Sequence, residues 1–227
     1  MTSFGEIVEP STRTAWEDWD DVIQSASFPQ LQLEREIIQP DVIDTLLILE
    51  GKYLSDYIKA QQNLEQINSI PQVNLKLYRT KNMNNYVCVI RDYDLVLSSE
   101  IVELLRPYVT VSNDVIAILT KPIVEYQVSE LAIQDYIIRG LYTSKFTSRS
   151  LGIHFPKLEQ PNIISGVAAG VICLREVLEL PAAAIVCYFE HPVEQNIKEL
   201  DKLLQKFKVV PNVDPERSNL LNSNLYI

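Results

Sequence analysis

Glycine is scarce in this sequence: the 227 residues include six glycines, and no two of them have the spacing G-x-G. Phosphate-binding loops and dinucleotide-binding turns need glycine, because the backbone must approach the phosphate closely. The sequence therefore gives no sign of a glycine-rich nucleotide site. Gly166 and Gly170 have the spacing G-x-x-x-G, which in a polar-flanked segment indicates close helix packing.

Histidine and cysteine are also scarce, with two histidines and three cysteines. Neither H-E-x-x-H nor C-x-x-C is present, so we predict no metal site and no cofactor. Cys187 and His191 lie four residues apart at the end of a predicted strand, a spacing that does not bring side chains together, so we predict no catalytic residue. The apolar neighbours of Cys88, Cys173 and Cys187 predict buried, reduced thiols.

The sequence also lacks an apolar run of the roughly 18 residues that span a bilayer, and its first residues do not resemble a signal peptide. We therefore expect a cytoplasmic or nuclear protein with no membrane span. The formal net charge of −10 opposes binding to nucleic acid and favours protein partners with basic surfaces.

Hydrophobic residues are plentiful, at 47% of the sequence, and their pattern predicts the fold. Apolar runs and alternation predict strands at 45–49, 73–77, 86–90, 114–119 and 182–189, with 73–77 and 86–90 forming a hairpin. Helices are predicted at 52–70, at 100–105 before Pro107, at 131–141, at 163–180 with Asn162 as the cap, and at 193–207. Strands that alternate with helices predict an α/β fold, a layered sheet with helices on its faces.

The two ends of the chain differ from this middle part. Residues 1–40 contain an acidic run and three prolines but few aliphatic side chains, so we predict a largely flexible acidic segment. Residues 41–210 are predicted to form the α/β domain, and residues 211–227, rich in proline and asparagine, a flexible tail. The tail ends in Leu225, Tyr226 and Ile227, an apolar triplet that suits insertion into a groove of a partner.

Four blocks of the sequence, in this order, resemble the family of proteasome assembly chaperone one. They are FGEIV at 4–8, LEQPNI at 158–163, PAAAIVCY at 181–188 and SNLYI at 223–227. The blocks cover under half of the chain, but their agreement in order is more specific than any one of them.

The resemblance implies an α/β chaperone that forms a heterodimer with a related chaperone on the outer face of the assembling ring of proteasome α subunits. Leu225, Tyr226 and Ile227 match the family's C-terminal hydrophobic-Tyr-any motif, which enters pockets between neighbouring α subunits. The family brings no catalytic residue and no cofactor. Two alternatives stay open: the sister subunit of the chaperone pair, and a small-molecule enzyme on an α/β scaffold, since a fold does not fix a function.

Overall fold

The computed structural model describes residues 30–36, 40–59, 61–81, 83–127, 136–147, 155–189, 200 and 202–207. The chain divides into two compact units, Met1–Gln30 and Leu31–Ile227, and all elements below belong to the second. The acidic run at 16–21, both histidines and the predicted tail with Leu225, Tyr226 and Ile227 lie outside the described residues. The predicted boundaries of the three segments stay predictions.

A seven-stranded mixed sheet forms the middle layer. Its strands are β1 (Ile43–Glu50), β2 (Leu64–Ile70), β3 (Leu75–Thr80), β4 (Asn85–Ile90), β5 (Ser112–Lys121), β6 (Tyr136–Tyr142) and β7 (Ala182–Phe189). Their order across the sheet is β2-β3-β4-β1-β5-β7-β6. The pairs β1–β4, β1–β5 and β5–β7 are parallel, whereas β2–β3, β3–β4 and β6–β7 are antiparallel.

Each of the parallel strands contains a continuous run of buried apolar residues, because both of their faces are covered. Every residue of β7 is buried, and so is every residue of β4. This burial confirms the strands predicted at 45–49, 86–90, 114–119 and 182–189. The predicted hairpin is confirmed as β3–β4, although β3 begins at Leu75 because Pro71–Val73 forms a 3-10 turn.

Helices lie on both faces of the sheet, as the predicted fold class requires. Helix α1 (Lys52–Lys59) packs Leu54 and Ile58 on one face, together with the buried residues of the helical segment 202–206 and Phe207. Helices α2 (Ser98–Val111) and α3 (Gly166–Val177) cover the other face side by side. No helix among the described residues is long and apolar enough to cross a membrane.

Three predicted helices are wrong in type or extent. The helix predicted at 52–70 ends at Lys59, and its second half is strand β2. The described part of the segment predicted as a helix at 131–141 belongs to strand β6. Helix α2 runs past Pro107 to Val111, because burial of Tyr108 and Val109 outweighs the hydrogen bond that proline cannot donate.

Two side-chain predictions also need correction. Asn162 does not cap a helix, since α3 begins later, with Ser165 at its N-cap position. Cys88 and Cys187 are buried as predicted, but Cys173 is exposed on the outer side of α3. All three thiols are free.

Candidate interaction surface

The carboxyl ends of the parallel strands are the place where an α/β enzyme would bind a ligand. Helix α1 leaves β1 toward one face of the sheet and α2 leaves β4 toward the other, so β1 and β4 flank a topological switch point. Open α/β sheets bind ligands in the crevice outside such a point. The side chains at this position therefore test the enzyme alternative.

The crevice at the carboxyl ends of β1 and β4 is occupied by the side chains of Glu50 and Tyr93. The Glu50 carboxylate, at the end of β1, accepts hydrogen bonds from Tyr93 Oη at 2.5 Å and from the Ala168 backbone N–H at 2.9 Å. Tyr93 Oη in turn accepts from the Val167 N–H at 2.8 Å. Gly166 has φ +79°, and a Cβ there would collide with Glu50 Oε1 and Tyr93 Oη. Glycine is thus required for this close fit.

Glu50 acts as the missing cap of α3. The N-cap residue Ser165 makes no capping hydrogen bond. The carboxylate from β1 accepts from the Ala168 N–H instead, and Tyr93 Oη accepts from the Val167 N–H, at the end of the helix where the dipole favours an anion. Burial raises the pKa of Glu50, although the bonds from Tyr93 and Ala168 oppose this shift. The chemistry of the position is that of an internal cap that ties α3 to the central strand.

Cys187 is poorly suited to act as a catalytic nucleophile. Its side chain is buried on the face that α1 covers, and burial raises the pKa of its thiol to about 12. A thiol with such a pKa is not ionised at neutral pH and is a poor nucleophile. His191, its neighbour in sequence, lies outside the described residues, and within them no group of three His, Cys, Asp or Glu side chains could hold a metal ion.

The block at 158–163, by contrast, forms a surface loop held by a polar network. The Glu159 carboxylate forms an ion pair with Arg139 Nε on β6 at 2.9 Å and also accepts from Tyr126 Oη. Arg139 Nη2 donates to Tyr126 Oη at 2.8 Å, and its guanidinium lies 5.3 Å from the centroid of the Tyr126 ring. Partial burial opposes ionisation of Glu159, but the bonds from Tyr126 and Arg139 outweigh it and lower its pKa.

Asn162 gives the same loop a second anchor. Its Oδ1 accepts from the Gln127 N–H at 2.8 Å, and its Nδ2 donates to the Gln127 carbonyl at 2.7 Å. The amide thus binds one backbone residue in two directions, and these bonds account for an asparagine here without a capping role. Beside these anchors, Ile163 and Val124 are each 77% exposed.

Helix α3 presents a second unusual surface. Its inner side packs closely on α2, since a Cβ at Gly170 would lie 2.9 Å from Val102 Cγ2, which confirms the packing predicted from the G-x-x-x-G spacing. Its outer side carries Cys173 and, one turn later, Val177, which is 81% exposed. Leu178, just beyond the helix, is 38% exposed. We call Cys173, Val177, Leu178 and the half-buried Ala169 the α3 outer face.

Arg175 supplies the polar contacts of α3 from the buried side. It is 0% exposed, and its guanidinium donates to backbone carbonyls at the end of α2 and the starts of β5 and β7. The acceptors are Val109 and Ser112 at 2.9 and 2.8 Å, and Asn113 and Pro181 at 2.8 and 2.7 Å. Burial lowers its pKa to about 10, so the side chain stays charged at neutral pH.

Sequence reasoning missed the α3 outer face, although a signal was present. The segment GVAAGVICLREV contains two charged residues in twelve, and one of them is the buried Arg175. A helix that is apolar around its circumference is expected to be covered by protein. The predicted binding residues Leu225, Tyr226 and Ile227 lie outside the described part of the chain.

No model of a known protein family matches the sequence, and no curated protein matches it either. Solved structures do resemble it. A protein of unknown function from Thermoplasma acidophilum is 10% identical, with a TM-score of 0.54 over 80% of this chain and 82% of that one. Another, from Mycobacterium tuberculosis, is 10% identical, with a TM-score of 0.52 over 81% of this chain and 79% of that one.

The similar structures also include homologues of proteasome assembly chaperones. PbaA from Pyrococcus furiosus, an archaeal homolog of proteasome-assembly chaperone, is 13% identical, with a TM-score of 0.48 over 78% of this chain and 94% of that one. The comparisons therefore establish an α/β fold that the Thermoplasma and Mycobacterium proteins share.

Proposed function

We propose that this chain is a non-enzymatic chaperone that promotes assembly of the α ring of the proteasome core particle. It works in the cytoplasm as a heterodimer with a related chaperone, and it docks its C-terminal tail between α subunits. The proposal rests first on the four sequence blocks that resemble the family of proteasome assembly chaperone one.

The observation that carries the proposal is the position of the block at 158–163. A block that served packing alone would lie in the core, but this one is a surface loop that Arg139, Tyr126 and Gln127 hold in place. Rigid polar anchoring of an exposed loop is expected where a protein presents a fixed contact surface. The switch point of the sheet, filled by Glu50 and Tyr93, offers no comparable support to the enzyme alternative.

The tail contributes a modest part of the binding energy in this proposal. Burying Leu225 and the ring of Tyr226 contributes roughly 1.5–3 kcal/mol each. Ordering the linker and losing rigid-body freedom offset much of that gain, so the isolated tail binds in the range of about micromolar to millimolar. The folded domain raises the effective concentration of the tail at the ring and so produces useful affinity.

The test compares the affinity of three chains for purified α rings: the full chain, a truncation lacking residues 225–227, and Tyr226→Ala. Asn224→Ala, one residue before the triplet, is the matched control. We expect the truncation to lose about tenfold or more in affinity, Tyr226→Ala to lose most of that, and the control to change little. Melting temperatures and binding to the related chaperone should stay the same. Unchanged ring affinity of the truncated chain would refute tail docking.

A further inference from the structure

Residues 31–36, which precede the first strand, are attached to the domain without forming a helix or a strand themselves. Leu31 is 3% exposed and belongs to the core cluster that α2 covers. Glu34, Arg35 and Glu36, by contrast, are exposed. We call residues 31–36 the strap. One buried side chain thus anchors a segment that otherwise lies on the surface of the domain.

Two elements of the domain bind the strap through hydrogen bonds. The Leu31 N–H donates to the carboxylate of Glu100, in the first turn of α2, at 2.9 Å. The Glu34 N–H donates to the Ser69 carbonyl on β2 at 2.9 Å, and the Glu34 carboxylate accepts from Ser69 Oγ. The domain therefore recognises an apolar side chain and, three residues later, an acidic one.

Asn68 binds the backbone of the strap in two directions. Its Oδ1 accepts from the Arg35 N–H at 3.1 Å, and its Nδ2 donates to the Arg35 carbonyl at 3.0 Å. Asn68 is 3% exposed, and the pairing of β2 with β3 is irregular between Gln66 and Asn68. Such an irregularity re-aims a side chain, here toward the strap. An amide that binds both the N–H and the carbonyl of one residue recognises backbone, whatever the side chain of that residue.

The contacts of the strap are all non-covalent, so its covalent link to β1 is not part of the binding site. In peptide recognition, bonds to the main chain give affinity and contacts with side chains give specificity, and the strap receives both. The link to β1 acts by keeping the effective concentration of the strap high, at about millimolar for a short linker. A strap offered by another molecule makes the same bonds but must compete with the tethered one.

We propose that Asn68, Ser69 and Glu100 form a peptide-recognition site, that the strap is its resident ligand, and that a second copy of this chain can supply the strap in trans. The ligand is a segment in which a leucine is followed three residues later by a glutamate. A second copy is the donor that fits, because its strap carries the same Leu31 and Glu34. In the single chain the strap occupies the site, and exchange of straps links two chains. The site is separate from the predicted tail and does not depend on the proposed function.

The first experiment mixes two full-length variants with opposite defects. Arg35→Pro removes the N–H that Asn68 binds, so its site lacks a well-bound strap. Asn68→Ala keeps an intact strap but has a defective site. Sedimentation gives the mass of each variant alone and of the equimolar mixture. In the control mixture Glu36→Ala replaces Asn68→Ala, because Glu36 is exposed and its chain keeps the strap in its own site. Leu31→Ser, which removes the buried side chain, serves as a second strap variant.

The second experiment offers the strap as a peptide. An acetylated, fluorescent peptide with the sequence of residues 31–36 is titrated with the unchanged chain and with the two strap variants, and its anisotropy is measured. Two altered peptides, Glu34→Ala and Glu36→Ala, form a matched pair, because both residues are exposed glutamates but Glu34 is bonded to Ser69.

We expect the mixture of Arg35→Pro and Asn68→Ala to gain mass that neither variant alone nor the control mixture shows. The peptide should bind the strap variants about tenfold more tightly than the unchanged chain, in which the tethered strap competes. The Glu34→Ala change should weaken the peptide about threefold or more and the Glu36→Ala change less than twofold.

Three outcomes would overturn the proposal. Strap variants that stay folded and bind no peptide would show that the strap is not a ligand. Peptide binding without a gain of mass in the mixture would rule out a second copy as the donor. Unfolding of both strap variants would show that the strap is an inseparable part of the core, because a bound ligand can leave while the fold remains.

Discussion

Helices α2 and α3 lie side by side on one face of the sheet, yet each uses its arginine in a different way. Arg106 of α2 is exposed and pairs with Glu103 at 2.9 Å, whereas Arg175 of α3 is fully buried and binds four backbone carbonyls. In α2 the charge keeps the outer side soluble. In α3 the charge holds the fold together, and the outer side is left apolar. The contrast shows that α3 turns its arginine inward to bind the backbone, whereas α2 keeps its arginine on the side that faces solvent.

The largest expected effect comes from removing the buried charge. Arg175→Met keeps an apolar side chain but leaves the carbonyls of Val109, Ser112, Asn113 and Pro181 without this donor. We expect the free energy of unfolding to fall by about 3–5 kcal/mol, because each buried carbonyl that loses its hydrogen bond costs roughly 1–3 kcal/mol. Arg106→Met on α2 should change it by less than about 0.5 kcal/mol, as exposed ion pairs do. Urea denaturation measures both, and equal losses would contradict the contrast.

Next in size is the contact at the start of α3. Gly166→Ala forces a side chain into a positive φ and against Glu50 and Tyr93, so we expect a loss of about 1–3 kcal/mol. The neighbouring Ser165→Ala is the control. It should cost little, because Ser165 is exposed and makes no capping hydrogen bond. Thermal melts of the two variants test whether Glu50, rather than Ser165, caps the helix; a larger loss for Ser165→Ala would show the reverse.

A smaller effect concerns pH. Burial raises the pKa of Glu50 above its ordinary value of 4.5, so its contribution to stability is fully present below pH 4.5 and is lost as the pH rises through the raised pKa. Glu50→Gln stays neutral and escapes this loss. The stability of the variant relative to the unchanged chain should therefore improve from pH 4 to pH 8, as measured by urea midpoints. A relative stability that declines over that range would mean that ionised Glu50 is favoured by folding.

The smallest effect is expected on the solvent side of α2. Glu103→Ala removes the exposed ion pair with Arg106 and should cost about 0.3–0.5 kcal/mol at low salt. At about 1 M salt the electrostatic part of this loss should disappear, since screening acts strongly on exposed charges. Denaturation at the two salt concentrations provides the measurement. A loss that is large and independent of salt would show that Glu103 has a packing role.

The sequence predicted the interior of the sheet better than its margins. The strands β1, β4, β5 and β7 were predictable because burial on both faces gives each of them a continuous apolar run. β2 and β6 were mistaken for helix, since strands at the edges of a sheet are partly exposed and their mixed patterns resemble an amphipathic helix. The strand β6 pairs with β7, which is distant in sequence, whereas β2 pairs with the adjacent strand β3.

The surface was harder to predict because its contacts join residues that are distant in sequence. The loop at 158–163 was recognised by resemblance, but its anchor Arg139 lies about 20 residues away on a strand that was read as a helix. The capping of α3 by Glu50 joins residues 118 positions apart. Local patterns in a sequence carry no information about contacts of this range, whereas the apolar circumference of α3 is a local pattern and could have been noticed.

The two edge strands of the sheet, β2 and β6, are each bordered by another segment of the same chain. Along β2, the backbone N–H of Glu34 donates to the Ser69 carbonyl at 2.9 Å, and along β6, Gly140 exchanges bonds with Pro156 and Leu158 at 2.8 and 2.9 Å. At these positions the backbone groups that face outward are already occupied by short segments of the same chain. A sheet bordered in this way resists templated polymerisation, because an incoming strand would first have to displace the segment already bound there. The sheet is thus protected at these positions from fibril-like growth.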